Sequence, residues 1–394
     1  MKLVKPSYYK EFKCIAGACT DTCCAGWEVD VDPKSYKYYK SVKGAFGKRL
    51  KSVMIPQEDG GCSFKLKEKL RCPFLNDENL CDLFTALGED KLCDTCAEFP
   101  RFINSYGMVK EMGLAPSCKT AGEIFYSYKE KIKYISEEVD DPIEPNDIDP
   151  ELYIRLRDAR KTAFEFINDE EISIYQSLKL YLEYCKELQT CVSYGAYYKI
   201  SQIRDKYKDY KLLLKKMSSP EIDASKIVND DLCKLIKHLY GTFRGIEIIN
   251  KDYSTFIEDS QHYLEAIDYN DLSLEKDLKA YIKDRFGDED YVKGLKNLAD
   301  YYVFRYFLDS VNDYNVRLKG RIAVLGLMAV IYMEMVYEKT YGKDCDFTMR
   351  VDIAHLYSRQ FEHSYTNHQI MCSRIDRIPV GKALTERMLE LIKL

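Results

Sequence analysis

The sequence predicts a mainly α protein in which a small cysteine-rich, metal-stapled N-terminal domain precedes a larger all-α helical domain. Three observations carry this. Ten of the 15 cysteines fall within the first 118 residues of a 394-residue chain. Apolar residues recur at helical spacing over much of the rest. Between the two, SEEVDDPIEPNDIDP at 136–150 packs three prolines and seven acids into fifteen residues and reads as a linker or surface loop. The domains are therefore drawn at 1–135 and 151–394, with 136–150 joining them.

Residues 1–135 have short motifs, frequent turn residues such as Asp59-Gly60-Gly61, and little hydrophobic periodicity. A segment without a strong apolar stripe usually needs staples. After the linker, Asp149-Pro150-Glu151 supplies an N-cap, a proline at the first helical position and an acid in the first turn. Leu152, Leu156, Ala159, Ala163, Phe166 and Ile167 then mark one helix, and Ile174, Leu178, Leu182, Cys185 and Leu188 a second. Further helices are expected over 195–216, 226–250, 254–285, 291–311, 315–341 and 350–371, whereas alternating strand patterns are scarce. The pattern is one of helical hairpins.

Hydrophobic content of 46% is enough for a packed core, and a net charge of -5 does not mark a nucleic-acid-binding protein. MKLVKPSYYKEFK lacks the apolar core of about 7–15 residues that a secretory signal carries. The run IAVLGLMAVIYM at 322–333 is too short to span a bilayer and reads as a buried helix. A cytoplasmic protein with no membrane partner is expected, and in that compartment persistent disulfides are rare.

The cysteines then read as metal ligands. Cys14, Cys19, Cys23 and Cys24 open the set; Cys72 and Cys81, the C-x2-C pair Cys93 and Cys96, and Cys118 follow. Thiolates two to four residues apart can converge on one soft metal, and each tetrahedral zinc or cubane cluster takes about four. Side chains of adjacent residues diverge in extended backbone, so Cys23 and Cys24 suit different centres, or one ligand beside one buried thiol. No histidine occurs in the first 118 residues, and an all-sulfur set suits zinc and iron–sulfur equally. The run C-x3-C-x2-C is absent, because Gly26 stands where its third thiol would be.

FKCIAGACTDTCCAGWEVDVD, CPFLNDENLCDLFTALGEDKLCDTCAEFPR and EMGLAPSCKTAGEI resemble the flagellin lysine N-methylase family, part of a wider set of cysteine-rich zinc- or iron-chelating proteins. AHLYSRQFEHSYTN at 354–367 resembles a second family signature, and LADYYVFRYF at 298–307 a weaker third. The resemblance implies S-adenosylmethionine-dependent methylation of flagellin lysines and a [4Fe–4S] cluster. By motif, the implied ligands are Cys14, Cys19, Cys23, Cys24, Cys72, Cys81, Cys93 and Cys96. Cys118 is a further candidate, although its motif continues Lys119-Thr120 where related sequences tend towards Pro-Glu. Cys62 is the least secure of the ten.

Methyl transfer needs a neutral amine, and a free lysine at pKa about 10.4 is almost wholly protonated at neutral pH. The site must take a proton or disfavour the ammonium by desolvation. No G-x-G-x-x-G loop follows a strand, so a Rossmann donor site is not expected. Tyr357, Glu362 and His363 are the candidate base or amine-orienting groups, and Arg359 a candidate carboxylate binder. On a helix, Ser358 would share a face with Glu362, and Arg359 with His363. Arg305, within YYVFRYF, either binds a donor carboxylate or closes a structural salt bridge. Trp27 is expected to pack over the metal site and Cys185 to lie in the core. Cys191, Cys233, Cys345, Cys372, His238, His262, His355 and His368 form no constellation in the sequence. The competing readings are a zinc-stapled interaction module without catalysis and an iron–sulfur electron-transfer protein.

Overall fold

A computed structural model describes residues 1–143, 146–217, 245–249, 251–266 and 273–377, with 385, 389, 392 and 393 beyond them. The fold is mainly α. The helix Pro150–Ile167 begins as its sequence dictates, with the Asp149 carboxylate accepting from the backbone N–H groups of Glu151 and Leu152. Ser173 and Gln176 form a reciprocal capping box at the start of Ile174–Ser193. The apolar stripes identified in these two helices are buried, apart from a half-exposed Leu182. Then come Ile200–Lys208, Tyr210–Met217, Lys251–Ala266, Ser273–Arg285, Glu289–Tyr306, Val316–Tyr341, Phe347–Glu362 and Tyr365–Asp376. The stretch expected over 226–250 lies outside the described residues except for 245–249, which are not helical. The single helix expected over 350–371 is two. Ser364 caps the second by accepting from Asn367 N–H, which leaves His363 at the end of the first.

The central helix Val316–Tyr341 extends well beyond the apolar run that marks it, because the flanking residues continue the helical pattern. By length and composition it could cross a membrane, yet 94% of its most apolar window is buried inside the protein. It packs against Ile174–Ser193, Glu289–Tyr306, Lys251–Ala266 and Phe347–Glu362. Gly320 permits the first contact: a Cβ there would lie 2.8 Å from Sγ and 2.9 Å from Cβ of Cys185, which is core as expected. Gly320→Ala should cost about 1–3 kcal/mol through overpacking, partly offset by the better helix propensity of alanine. A lower urea midpoint with an unchanged slope is the expected result.

The first 138 residues hold all seven strands among the described residues. One sheet has the order β5 (Arg101–Tyr106), β6 (Val109–Leu114), β1 (Lys2–Pro6), β7 (Tyr134–Glu138), with β1 parallel to β6 and the other pairs antiparallel. A smaller one has the order β2 (Asp30–Val31), β4 (Cys62–Phe64), β3 (Met54–Pro56). None exceeds six residues, too short for alternation to stand out. Ser136, Glu137 and Glu138, assigned by composition to the linker, instead pair with Val4, Leu3 and Lys2. Lys5 reaching Glu137 and backbone pairing outweigh their polarity.

The apolar residues form two clusters. The smaller draws only on residues 29–93, including Val31, Tyr39, Phe64, Phe74, Cys72 and Cys93. The larger joins Tyr8, Tyr106, Leu114 and Phe125 to the helices. Arg160 is buried against the larger cluster, donating to both carboxylate oxygens of Glu111 on β6 and to the Phe304 carbonyl. Asp300, fully buried on the helix Glu289–Tyr306, accepts from Tyr134 on β7 and from Asn168. Burial pushes its carboxyl up to about 6, although the Tyr134 and Asn168 hydrogen bonds pull the other way. The folded state thus favours the protonated form. That contribution is full below the unfolded pKa of about 3.9 and is lost as pH rises through about 6. It amounts to on the order of 3 kcal/mol. In Asp300→Asn, urea titrations between about pH 4 and 6 should lose this component of the pH dependence.

Candidate functional site

The helix Phe347–Glu362 is capped by Asp346, whose carboxylate accepts from Met349 N–H. It carries the second signature and presents two polar faces. On the first, Asp352, His355, Arg359 and His363 recur at helical spacing, and all four meet cysteine-bearing segments. Asp352 pairs with Lys119 at 2.7 Å. His355 Nε2 lies 2.7 Å from Asp21 Oδ2, and Arg359 Nη1 lies 2.8 Å from Asp21 Oδ1. Arg359 Nη2 also donates to the carbonyls of Ala25 and Thr22, and its guanidinium lies 4.2 Å from the Trp27 ring centroid. The His363 ring stacks on Trp27 at 5.4 Å and 15°, and its Nε2 lies 2.6 Å from Ser117 Oγ. Gly26 has φ +97°, and a Cβ there would approach Arg359 Nη2 to 3.0 Å, so glycine lets the loop close on the arginine.

Burial opposes a charge on Asp21, but the His355 hydrogen bond and the Arg359 charge prevail and hold its carboxyl well below the usual range. Burial, reinforced by Arg305 and Arg359, lowers His363 to about 3, so its imidazole is neutral at physiological pH. Nδ1 of His355 and Nε of Arg359 are buried without a hydrogen-bond partner among the described residues. An unmet buried polar atom costs about 1–3 kcal/mol, and these two are where an added polar group would find partners.

The second face centres on Glu362, whose side chain is 1% exposed. Tyr301 Oη lies 2.9 Å from both carboxylate oxygens and Tyr306 Oη 2.5 Å from one; Ser358 Oγ donates to the other. Arg305 Nε lies 3.6 Å from Oε1, while Nη1 donates to Tyr301 Oη and Nη2 to the Glu362 carbonyl. Arg305 therefore closes a salt bridge, one of the two roles its sequence allowed. The structure unites Ser358 with Glu362, and Arg359 with His363, as the spacing implies. Tyr357 goes elsewhere: its hydroxyl faces Met371 Sδ at 3.6 Å in the core. Sequence reasoning missed His355 and His368. His368 stacks on Tyr306 at 5.4 Å with Nε2 3.4 Å from Cys372 Sγ, and only the i, i+4 spacing of that pair hinted at it.

The described cysteines are free thiols. Those of the N-terminal segment fall into two neighbourhoods that meet at Cys23 and Cys24. The Cys24 hydrogen bond, partial burial and the charges of Cys14 and Cys118 all push Cys23 up. Cys118, raised chiefly by burial, also feels Cys19 and Cys14. Cys24 faces the other way. The Cys23 hydrogen bond lowers it to about 7, and its charge bears on Cys72, Cys81 and Cys96. Cys93 N-caps the short helix Asp94–Glu98, and its hydrogen bond with Cys96 lowers Cys93 and raises Cys96. Cys72 N–H donates to the Cys24 carbonyl at 2.8 Å, tying these segments together. The N–H groups of Ala16 and Phe84 donate to the sulfurs of Cys14 and Cys81. The donor chemistry suits zinc or an iron–sulfur cluster. Among the described residues no three His, Cys, Asp or Glu side chains close tightly enough to hold an ion as they stand.

Residues 160–379, more than half of the chain and including the whole helix Phe347–Glu362, match the model of the FliB lysine N-methylase C-terminal domain, and the chain belongs to that family of lysine N-methylases. A flagellar biosynthetic protein FliU of Salmonella muenchen is 28% identical over 121 residues, covering 29% of this chain and 72% of that protein. Lysine-N-methylases of Salmonella typhimurium and Salmonella choleraesuis are each 27% identical over 121 residues, again 29% of this chain. The match spans only 30% of either methylase's own length. No solved structure matches the chain.

Proposed function

We propose that this protein is a cytoplasmic lysine N-methyltransferase that moves methyl groups from S-adenosylmethionine to lysine side chains of flagellin, with a [4Fe–4S] cluster on its N-terminal thiols. The observation that carries the reading is the lysine N-methylase match over 160–379, which contains both polar faces of the helix Phe347–Glu362. The flagellar name and the methylase names of the relatives support the substrate. The ligands would come from Cys14, Cys19, Cys23 and Cys118 on one side and Cys24, Cys72, Cys81, Cys93 and Cys96 on the other. Bound there, a cluster would supply a soft Lewis-acidic centre.

In the transfer the neutral amine attacks, the C–N bond forms as the C–S bond of the sulfonium breaks with its electron pair going to sulfur, and the resulting methylammonium gives up its proton to solvent. Glu362 is poorly suited to take that proton, since Tyr301, Tyr306, Ser358 and Arg305 already occupy its oxygens. His363, lowered to about 3, is too weak a base to retain it. These residues serve better to orient groups, and the neutral amine is favoured by desolvation. Arg359 and His355 would meet polar atoms of the donor or substrate through Nε and Nδ1.

The test is the mass of flagellin after incubation with the anaerobically purified protein and S-adenosylmethionine, together with iron and zinc analysis. Mass gains in one-methyl steps support the reading. Stoichiometric zinc and an unchanged flagellin mass would overturn it in favour of a zinc-stapled interaction module. Reversible reduction without methyl transfer would overturn it in favour of electron transfer.

A further inference from the structure

We propose that Asp352, His355, Arg359 and His363 form a clasp that positions the cysteine loops for metal binding, so that this face of the C-terminal signature acts on the thiols and not only on the substrate. This deepens the proposed metal centre and rests on that reading only for its purpose, not for its geometry. The four residues follow one another at intervals of three, four and four, which puts them on one helix face. Every group they touch flanks a thiol. Asp21 lies between Cys19 and Cys23, and Thr22 and Ala25 bracket Cys23 and Cys24. Ser117 and Lys119 stand on either side of Cys118. Phe99, three residues after Cys96, packs on both Trp27 and His363 at 5.5 Å. A single helical face therefore sets the separation of the loop 19–27, the segment 117–119 and the end of the C-x2-C turn.

The chemistry of the contacts suits a clasp. Arg359 is 2% exposed and His355 1%, whereas Asp21 is 27% exposed, so breaking the pair strands two buried side chains and is costly. The guanidinium fork makes four contacts, with the Asp21 carboxylate, the Thr22 and Ala25 carbonyls and the Trp27 face. A lysine would supply the charge but not the fork. Outside the clasp the loop is anchored at its far end, where Cys72 N–H donates to the Cys24 carbonyl, Gly26 N–H donates to the Leu70 carbonyl, and Ala25 bridges to Arg71. Residues 14–28 form no strand and only one short 3-10 turn, and Cys14 is exposed. Without the clasp, only the Cys24 end of the loop would stay anchored, and the stretch bearing Cys19 and Cys23 would be free to move away from Cys118.

The experiment is a per-cysteine alkylation time course with iodoacetamide, read by peptide mass. It uses the full-length chain as purified and after chelation, for wild type, Arg359→Ala, Arg359→Lys and Asp21→Asn. In the chelated samples, Cys19, Cys23 and Cys24 should react about tenfold faster in Arg359→Ala and Asp21→Asn. Arg359→Lys should fall between, while the buried Cys185 and Cys345 stay at the wild-type rate. Because Asp21→Asn leaves the helix intact, it decides the matter if Arg359→Ala fails to fold. Unchanged rates at the three loop thiols, or equal acceleration at Cys185 and Cys345, would overturn the proposal. The chelated samples need neither metal nor methylation, so a failure here is distinct from a failure of the proposed activity.

Discussion

Glu362→Ala should destabilise the protein by about 3–5 kcal/mol, among the largest single-residue effects in the helical core. The carboxylate is the common acceptor for Tyr301, Tyr306 and Ser358 and the counter-charge for Arg305, and its side chain is 1% exposed. Removing it strands a nearly buried guanidinium and three hydroxyls at once, and an uncompensated buried charge costs about that much. Tyr301 and Tyr306 lie on the helix Glu289–Tyr306, so the loss also uncouples two helices. Glu362→Gln keeps acceptor capacity and should cost less, on the order of 1–3 kcal/mol. Urea unfolding of the three proteins checks the ranking. Equal midpoints for Glu362→Ala and wild type would mean that the network contributes nothing to stability.

With the proposed [4Fe–4S] cluster on the N-terminal thiols, Cys24→Ser should remove most of the iron, whereas Cys62→Ser should leave it nearly unchanged. Cys24 is where the two thiol neighbourhoods meet: it hydrogen-bonds Cys23, and its charge reaches Cys72, Cys81 and Cys96. A serine oxygen is a harder and more basic ligand than thiolate and a poor substitute on iron. Cys62 sits in β4, fully buried in the smaller apolar cluster, with Cys93 the one thiol whose charge acts on it. Iron per chain by elemental analysis, beside the visible absorption of the cluster, separates the two variants. Equal losses would mean that the thiols act through the fold rather than as individual ligands.

The helices were legible wherever caps and stripes coincided. Asp149-Pro150-Glu151 fixed one start because local hydrogen bonds set it without help from the tertiary fold, and the Ser173-x-x-Gln176 capping box, equally local, went unread. Short strands were not legible, since β2 has two residues and β3 and β4 three each, too few to show alternation, and Asp30 on β2 pairs with the distant Ser63. Composition likewise located the cysteines but not the cores: Tyr8, Leu114 and Phe125 come from the cysteine-rich segment yet pack with the helices. Within the site, intrahelical pairs such as Ser358–Glu362 could be read from spacing. The Asp21–His355 and Asp21–Arg359 contacts could not, because they join residues more than 330 positions apart, a separation no local pattern encodes.

The central claim is methyl transfer to flagellin lysines, and the most direct measurement is the intact mass of flagellin after anaerobic incubation with this protein and S-adenosylmethionine. The account predicts added mass in one-methyl steps, located on lysine side chains by peptide analysis and absent when the donor is omitted. An unchanged flagellin mass, from folded protein with its metal bound, would contradict it.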